Sequence, residues 1–149
     1  MTILKKHLLI LLVLLTGCTL RSTPAPTPTP DPLAGTEWQL THIRGQPVLP
    51  DYPVYLHLWE EKMTGEMGCN SYRTEYQAKD GTIQIELLAV TVQLCPDKNL
   101  MNQEKQYTQA WEVALGQPAS YRLEANTLEV LDDSGMIVLS FHNARSGSK

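Results

Sequence analysis

Basic charge is scarce in this chain of 149 residues, where twelve Lys and Arg stand against sixteen Asp and Glu. Lys5 and Lys6 lie in an acid-free beginning, so the remainder carries ten bases against sixteen acids. That balance excludes a nucleic-acid binder, which needs a basic face to neutralise phosphates. Cysteine is scarce too, with three in all. Two thiols beyond Cys18 leave a zinc ion half coordinated, and His42, His57 and His142 are scattered, so no metal is expected. Long apolar runs are also missing. Leu8 to Leu15 is eight residues, where a membrane-spanning helix needs about 20. Repeats at a fixed period and local signatures of a catalytic nucleophile are absent as well.

What is present begins with an address. The basic pair Lys5-Lys6, the apolar run and the small residues Thr16-Gly17 stand in the order of a secretory signal, residues 1–17. Leu15-Thr16-Gly17-Cys18 resembles the bacterial lipobox, which makes Cys18 the expected site of lipid attachment and the first mature residue. The alternative is a plain secretory signal followed by an unrelated cysteine. Two or three acyl chains give stable anchoring where one gives marginal binding. The expected location is therefore the extracytoplasmic face of a bacterial membrane, with the chain anchored and not crossing.

Residues 18–32 hold the lipidated cysteine and a Pro/Thr-rich linker with five of the ten prolines. Proline at alternate positions favours the extended polyproline form at about 3.1 Å per residue, so the linker reads as a tether of up to ~40 Å. The folded domain is expected over 33–142, with a polar tail at 143–149.

Within the domain, Thr36 to Ile43 and Val54 to Glu60 read as strands, the second alternating Val54, Leu56 and Leu58 with Tyr55, His57 and Trp59. Asp80-Gly81 signals a hairpin joining Tyr72–Ala78 to Thr82–Leu87. Tyr121–Glu124, Leu128–Leu131 and Met136–Phe141 read as a meander. One long helix is predicted from Lys98 to Leu115, stopped by Gly116 and Pro118. At 100° per residue, Leu100, Tyr107, Trp111, Ala114 and Leu115 share one arc, which should lie on the sheet. Glu104 falls inside that arc. A carboxylate there must find donors, and a structural role bonded to backbone N–H groups is preferred over a functional pocket.

Three segments together carry a resemblance. Leu33-Ala34-Gly35-Thr36-Glu37-Trp38-Gln39-Leu40, Gly65-Glu66-Met67-Gly68-Cys69-Asn70-Ser71-Tyr72 and Thr91-Val92-Gln93-Leu94-Cys95, followed by Glu104, resemble the META domain family of heat-shock and envelope lipoproteins. Gln93-Leu94 departs from the Met-Ala that the family often has before its second cysteine. The resemblance implies an α+β, mainly β fold: a strongly bent antiparallel sheet with one packed α-helix. It implies exported or surface proteins tied to stress responses, antibiotic tolerance, virulence and motility. No reaction or cofactor comes with it.

The chemistry-bearing residues admit several readings. Cys69 and Cys95 are an even pair in an exported protein, so a disulfide is expected. An enzyme would use Cys69 as nucleophile, His57 or His142 as base and Asn70 as orienter, and this is set aside because an oxidising compartment favours the disulfide. Asn70 reads instead as a turn residue after Gly68, and Asp132-Asp133 as solvated turn residues. Tyr55, His57 and Trp59 form either an exposed binding stripe or a face covered by other elements. The expected function is a non-catalytic envelope lipoprotein that binds an envelope protein partner or supports the envelope under stress. The alternative is a carrier of a lipid or other small apolar ligand, using a pocket between sheet and helix.

Overall fold

The computed structural model describes residues 31–147, so the signal peptide, Cys18 and the linker up to Pro30 lie outside the described residues. Ten strands run in chain order: β1 Thr36–Ile43, β2 Gln46–Pro47, β3 Tyr55–Trp59, β4 Lys62–Glu66, β5 Ser71–Lys79, β6 Thr82–Ile85, β7 Ala89–Val90, β8 Ala119–Glu124, β9 Thr127–Leu131 and β10 Ile137–Asn143. The helix α1, Lys98–Ala110, sits between β7 and β8, and a 3-10 turn at Trp111–Ala114 continues it. A second 3-10 turn, Ala144–Gly147, follows β10 in the segment expected as a polar tail.

All pairings between named strands are antiparallel, in the order β10-β9-β8-β6-β5-β4-β3-β1. β10 also pairs with β1, Trp38 opposite Asn143 and Leu40 opposite Phe141, so the eight strands close into a barrel. β2 adds to β1 and β7 adds to β5 outside that circuit. The fold is α+β and mainly β with one packed helix, as expected, and the bent antiparallel sheet goes further than expected by closing into a barrel. Closure removes the two edges that an open sheet would leave exposed.

Alternation places the core. Along β5, Tyr72, Thr74 and Tyr76 point inward while Ser71, Arg73 and Glu75 face solvent, and β3 buries Leu56 and Leu58 in the same way. Asp80 and Gly81 both take positive φ, 52° and 78°, as the two-residue hairpin between β5 and β6 demands. Trp38, Tyr76, Tyr107, Trp111 and Phe141 fill the interior, each all but fully buried. Tyr107 stands edge-on to Trp111 at 6.3 Å between ring centres, and Trp111 lies 6.4 Å from Phe141 of β10. Helix and barrel thus share one aromatic core.

The helix departs from expectation at its end. Its α-helical part stops at Ala110 and the chain tightens into the 3-10 turn, where residues advance by about 120° instead of 100°. Trp111 and Ala114 remain buried, but Leu115 is rotated off the predicted arc and is 42% exposed.

Candidate functional site

The signature residues converge where the β4–β5 connection meets the start of α1. Gly68, at φ 105°, brings the chain so close to the helix that a Cβ there would stand 2.7 Å from Leu100 Cδ1. Asp97 caps the helix, accepting from the N–H groups of Asn99 at 2.7 Å and Leu100 at 3.4 Å. Between these two elements, Cys69 and Cys95 form a disulfide with Cα atoms 6.0 Å apart.

Glu104, in the second turn of α1, is 6% exposed and points into this junction. Its Oε1 accepts the backbone N–H groups of Cys69 at 2.9 Å and Asn70 at 2.7 Å. Its Oε2 accepts the side-chain amide of Asn70 at 2.8 Å and lies 3.8 Å from Cys95 Sγ. Burying a carboxylate is costly unless donors replace its water, and three N–H groups do so here. The residue therefore has the structural bonding that its place in the apolar arc suggested.

Asn70 does more than its sequence context signals. Its φ is not in the left-handed region, and its side chain does not fold back on its own turn. Instead Oδ1 accepts from the N–H of Gln93 at 2.9 Å and from Thr91 Oγ1 at 3.1 Å, while Nδ2 serves Glu104. One amide thus ties the 91–93 strap to the helix. The tight turn expected at Gly68-Cys69-Asn70 is present, closed by the Met67 N–H on the Asn70 carbonyl at 2.8 Å, but the Asn70 side chain serves as a long-range clamp, because a primary amide offers donors and an acceptor on opposite sides.

The sulfur atoms and the Glu104 carboxylate have ligand atoms within 4.8 Å of one another. Both sulfurs are spent in the disulfide, however, and the thiolate is the form that a metal or a nucleophile needs. The histidines expected as partners in an enzymatic reading lie elsewhere. His57 Nδ1 is 3.7 Å from Glu37 on the barrel's outside, and His142 is exposed on β10 opposite Gln39. Asp132 is a turn residue, accepting from Ser134 Oγ at 2.6 Å and from the N–H groups of Ser134 and Met136, each at 3.0 Å. The Ser134 hydroxyl, then the Met136 N–H, hold its carboxyl below the usual range.

The stripe Tyr55, His57 and Trp59 lies on the outer face of β3, neither fully covered nor fully open. Tyr55 and His57 stack at 6.5 Å, and Trp59 is 49% exposed. Glu37 flanks them and pairs with Arg145 at 3.3 Å, which lowers the Glu37 pKa.

A second buried network lies inside the barrel. Tyr72 Oη donates to the Tyr55 carbonyl at 3.0 Å and shares a 2.7 Å bond with Tyr107 Oη. Burial pushes both phenols up from their ordinary pKa, and the proximity of Tyr107 adds to the shift at Tyr72. Gly65 stands opposite Tyr72, and a Cβ there would overlap both the Tyr55 carbonyl oxygen and the Tyr72 hydroxyl. Sequence reading missed this network and also Gln103, a buried amide whose Oε1 accepts from Leu49 N at 2.6 Å and whose Nε2 donates to Tyr52 O at 3.1 Å. A polar residue beside Glu104 on the helix's inner side was the available signal.

The META domain is the family whose sequence profile matches residues 31–145. This chain belongs to the META domain family. Among curated proteins, none matches the sequence. Solved structures give two likenesses of fold. An NMR structure shares 21% identity and a TM-score of 0.59, covering 78% of this chain and 95% of that one. An NMR structure of a protein from Burkholderia xenovorans shares 21% identity and a TM-score of 0.58, covering 83% of this chain and 96% of that one. In this META domain the Gly-Cys-Asn segment, the second cysteine and the helical glutamate are one bonded unit. Its geometry locks the barrel to the helix.

Proposed function

We propose that this META domain is a non-catalytic recognition module, carried on a lipid-anchored protein of the bacterial envelope, and that it works through its outer surface. The observation that carries the reading is the filled interior: Trp38, Tyr76, Tyr107, Trp111 and Phe141 occupy the space that a carrier would need for an apolar ligand. The bonded state of Glu104 supports it further, since both carboxylate oxygens already hold N–H donors that join the turn to the helix beside a closed disulfide. Anchoring rests on the sequence Leu15-Thr16-Gly17-Cys18.

Fractionation of cells expressing the full chain tests the anchor, and native mass spectrometry of the purified protein tests the interior. Wild type should partition with membranes, and Cys18→Ala should become soluble or remain unprocessed. Membrane retention of a normally cleaved Cys18→Ala protein would overturn the anchor. A stoichiometric lipid carried inside the purified protein would overturn surface recognition in favour of the carrier.

A further inference from the structure

We propose that the groove between α1 and the β1–β2 hairpin binds a neutral peptide segment in extended conformation. The proposal rests on the recognition reading above and names its surface and partner class. Two adjoining hollows of about 220 and 450 Å³ make up the groove, and both are lined by Ile43, Gln46 and Gln106. Primary amides dominate the lining. Asn99, Asn102, Gln106 and Gln109 are spaced by three and four residues along α1, so they share one helix face, and Gln46 faces them from β2. All five residues are exposed, and none has a side-chain hydrogen bond among the described residues.

The groove is held in shape before any ligand arrives. Gln103 belongs to the same lining but is bonded inward, its side chain fixing the Leu49 N–H and the Tyr52 carbonyl. The loop after β2 is therefore pinned to the helix at a set distance. Preorganisation of this kind lowers the entropic cost of binding.

Chemistry selects the occupant. A primary amide offers donors and an acceptor in one plane, and so does a peptide bond, so each side chain can pair with a backbone N–H and C=O together. Spacing agrees. Residues four apart on a helix are separated by about 6 Å along its axis, and two residues of an extended strand advance about 6.7 Å. Asn102 and Gln106 are four apart and so match this advance, while Asn99 and Gln109 each stand three residues beyond that pair on the same face. Arg44 and Glu112 bring one charge of each sign to one end, which favours a neutral ligand over an ion.

Other modes of recognition fit less well. β2 ends at Pro47, whose ring has no N–H to give, so the hairpin is a poor template for an added strand. Binding must then come from the side-chain amides. No aromatic ring lines the groove among the described residues, so a sugar ring has no stacking platform. Apolar Ile43 and Val48 instead offer a floor for the small side chains of a peptide.

Selection from a randomised short-peptide library tests the proposal, using the full chain in detergent and the double variant Asn102→Ala/Gln106→Ala. Both residues are exposed, so the variant should keep the wild-type melting curve. Selected peptides should bind wild type and lose at least about tenfold in affinity for the variant. In isotope-labelled protein the side-chain NH₂ signals of Asn102 and Gln106 should shift saturably with peptide and stay still with cello-oligosaccharide. Asn102→Asp/Gln106→Glu, which keeps shape but removes the NH₂ donors, should lose binding as well. Peptides that bind wild type and variant equally would overturn the groove while leaving surface recognition standing. Recovery of no peptide, or saturable shifts with the oligosaccharide alone, would overturn the peptide.

Discussion

Asn70 donates to Glu104 twice, through its backbone N–H to Oε1 at 2.7 Å and through its side-chain amide to Oε2 at 2.8 Å. A loop residue and a helical carboxylate are thereby held face to face, as an Arg fork holds an acid, but with neutral donors. Orientation is fixed on both oxygens.

Glu104→Gln keeps the volume of the side chain but puts a donor where Asn70 Nδ2 already donates. The charge-assisted bonds weaken and one donor pair is left opposed. Chemical denaturation should show a loss of about 1–3 kcal/mol. An unfolding curve superimposable on wild type would remove the carboxylate from the account of stability.

The disulfide closes a loop of 26 positions. In the chain-entropy description that is worth about 3.5 kcal/mol, a large fraction of the stability of one small domain. Reduction should lower the melting temperature by several degrees or more. Non-reducing mass spectrometry of the native protein should find neither Cys69 nor Cys95 free, and ready alkylation of both would show that the staple does not form.

Gly65→Ala tests the close approach inside the barrel. The added methyl meets the Tyr55 carbonyl and the Tyr72 hydroxyl, both fixed by bonds, so neither can withdraw cheaply. Overpacking of this kind costs about 1–3 kcal/mol and more where backbone must move. Pairing with Tyr72→Phe should recover only part of the loss, because the Tyr72 hydroxyl is gone while the Tyr55 carbonyl still meets the methyl. A single variant as stable as wild type would mean that the strand gives way without strain.

Alkaline pH should unfold the domain through its buried phenols. Tyr72 and Tyr107 have folded-state pKa values raised by burial, so each binds its proton more tightly in the fold than in the open chain. Their contribution is fully present below the unfolded pKa of about 10 and is lost as pH rises from there toward the folded value. A spectrophotometric titration should show the exposed tyrosines ionising first and these two only together with unfolding. Ionisation of all six tyrosines in one ordinary step, with structure intact, would contradict the buried pair.

Legibility in the sequence followed the range of the interactions. β1, the Asp80-Gly81 hairpin and the β8–β9–β10 meander were readable because alternation and turn chemistry are local. β4 was not, since Lys62-Met63-Thr64-Gly65-Glu66 is short and its glycine serves a tyrosine seven positions later. Barrel closure leaves no local trace, as it depends on β1 meeting β10. At the junction, the disulfide and the buried position of Glu104 were legible from cysteine parity and helical phase. The turn at Asn70 was legible, but the role of its side chain was not, because its partners, Thr91, Gln93 and Glu104, lie 21, 23 and 34 positions away. The amide face of α1 has Asn and Gln at the same period as its apolar residues, but polar residues at helical spacing also describe any solvated helix face and so carry no distinct signal.

Joining the first strand to the last also sets an order of events. Thr41 Oγ1 bonds the Ser140 carbonyl across 99 positions, and Arg145 reaches Glu37 across 108. Contacts so distant in sequence raise contact order and slow folding, since the loop entropy is spent before the pairing rewards it. A chain emerging from its amino end must keep β1 unpaired on one side until residue 143 has appeared. An emerging fragment therefore exposes a sticky edge for as long as synthesis lasts, and a holding chaperone would find its longest opportunity there.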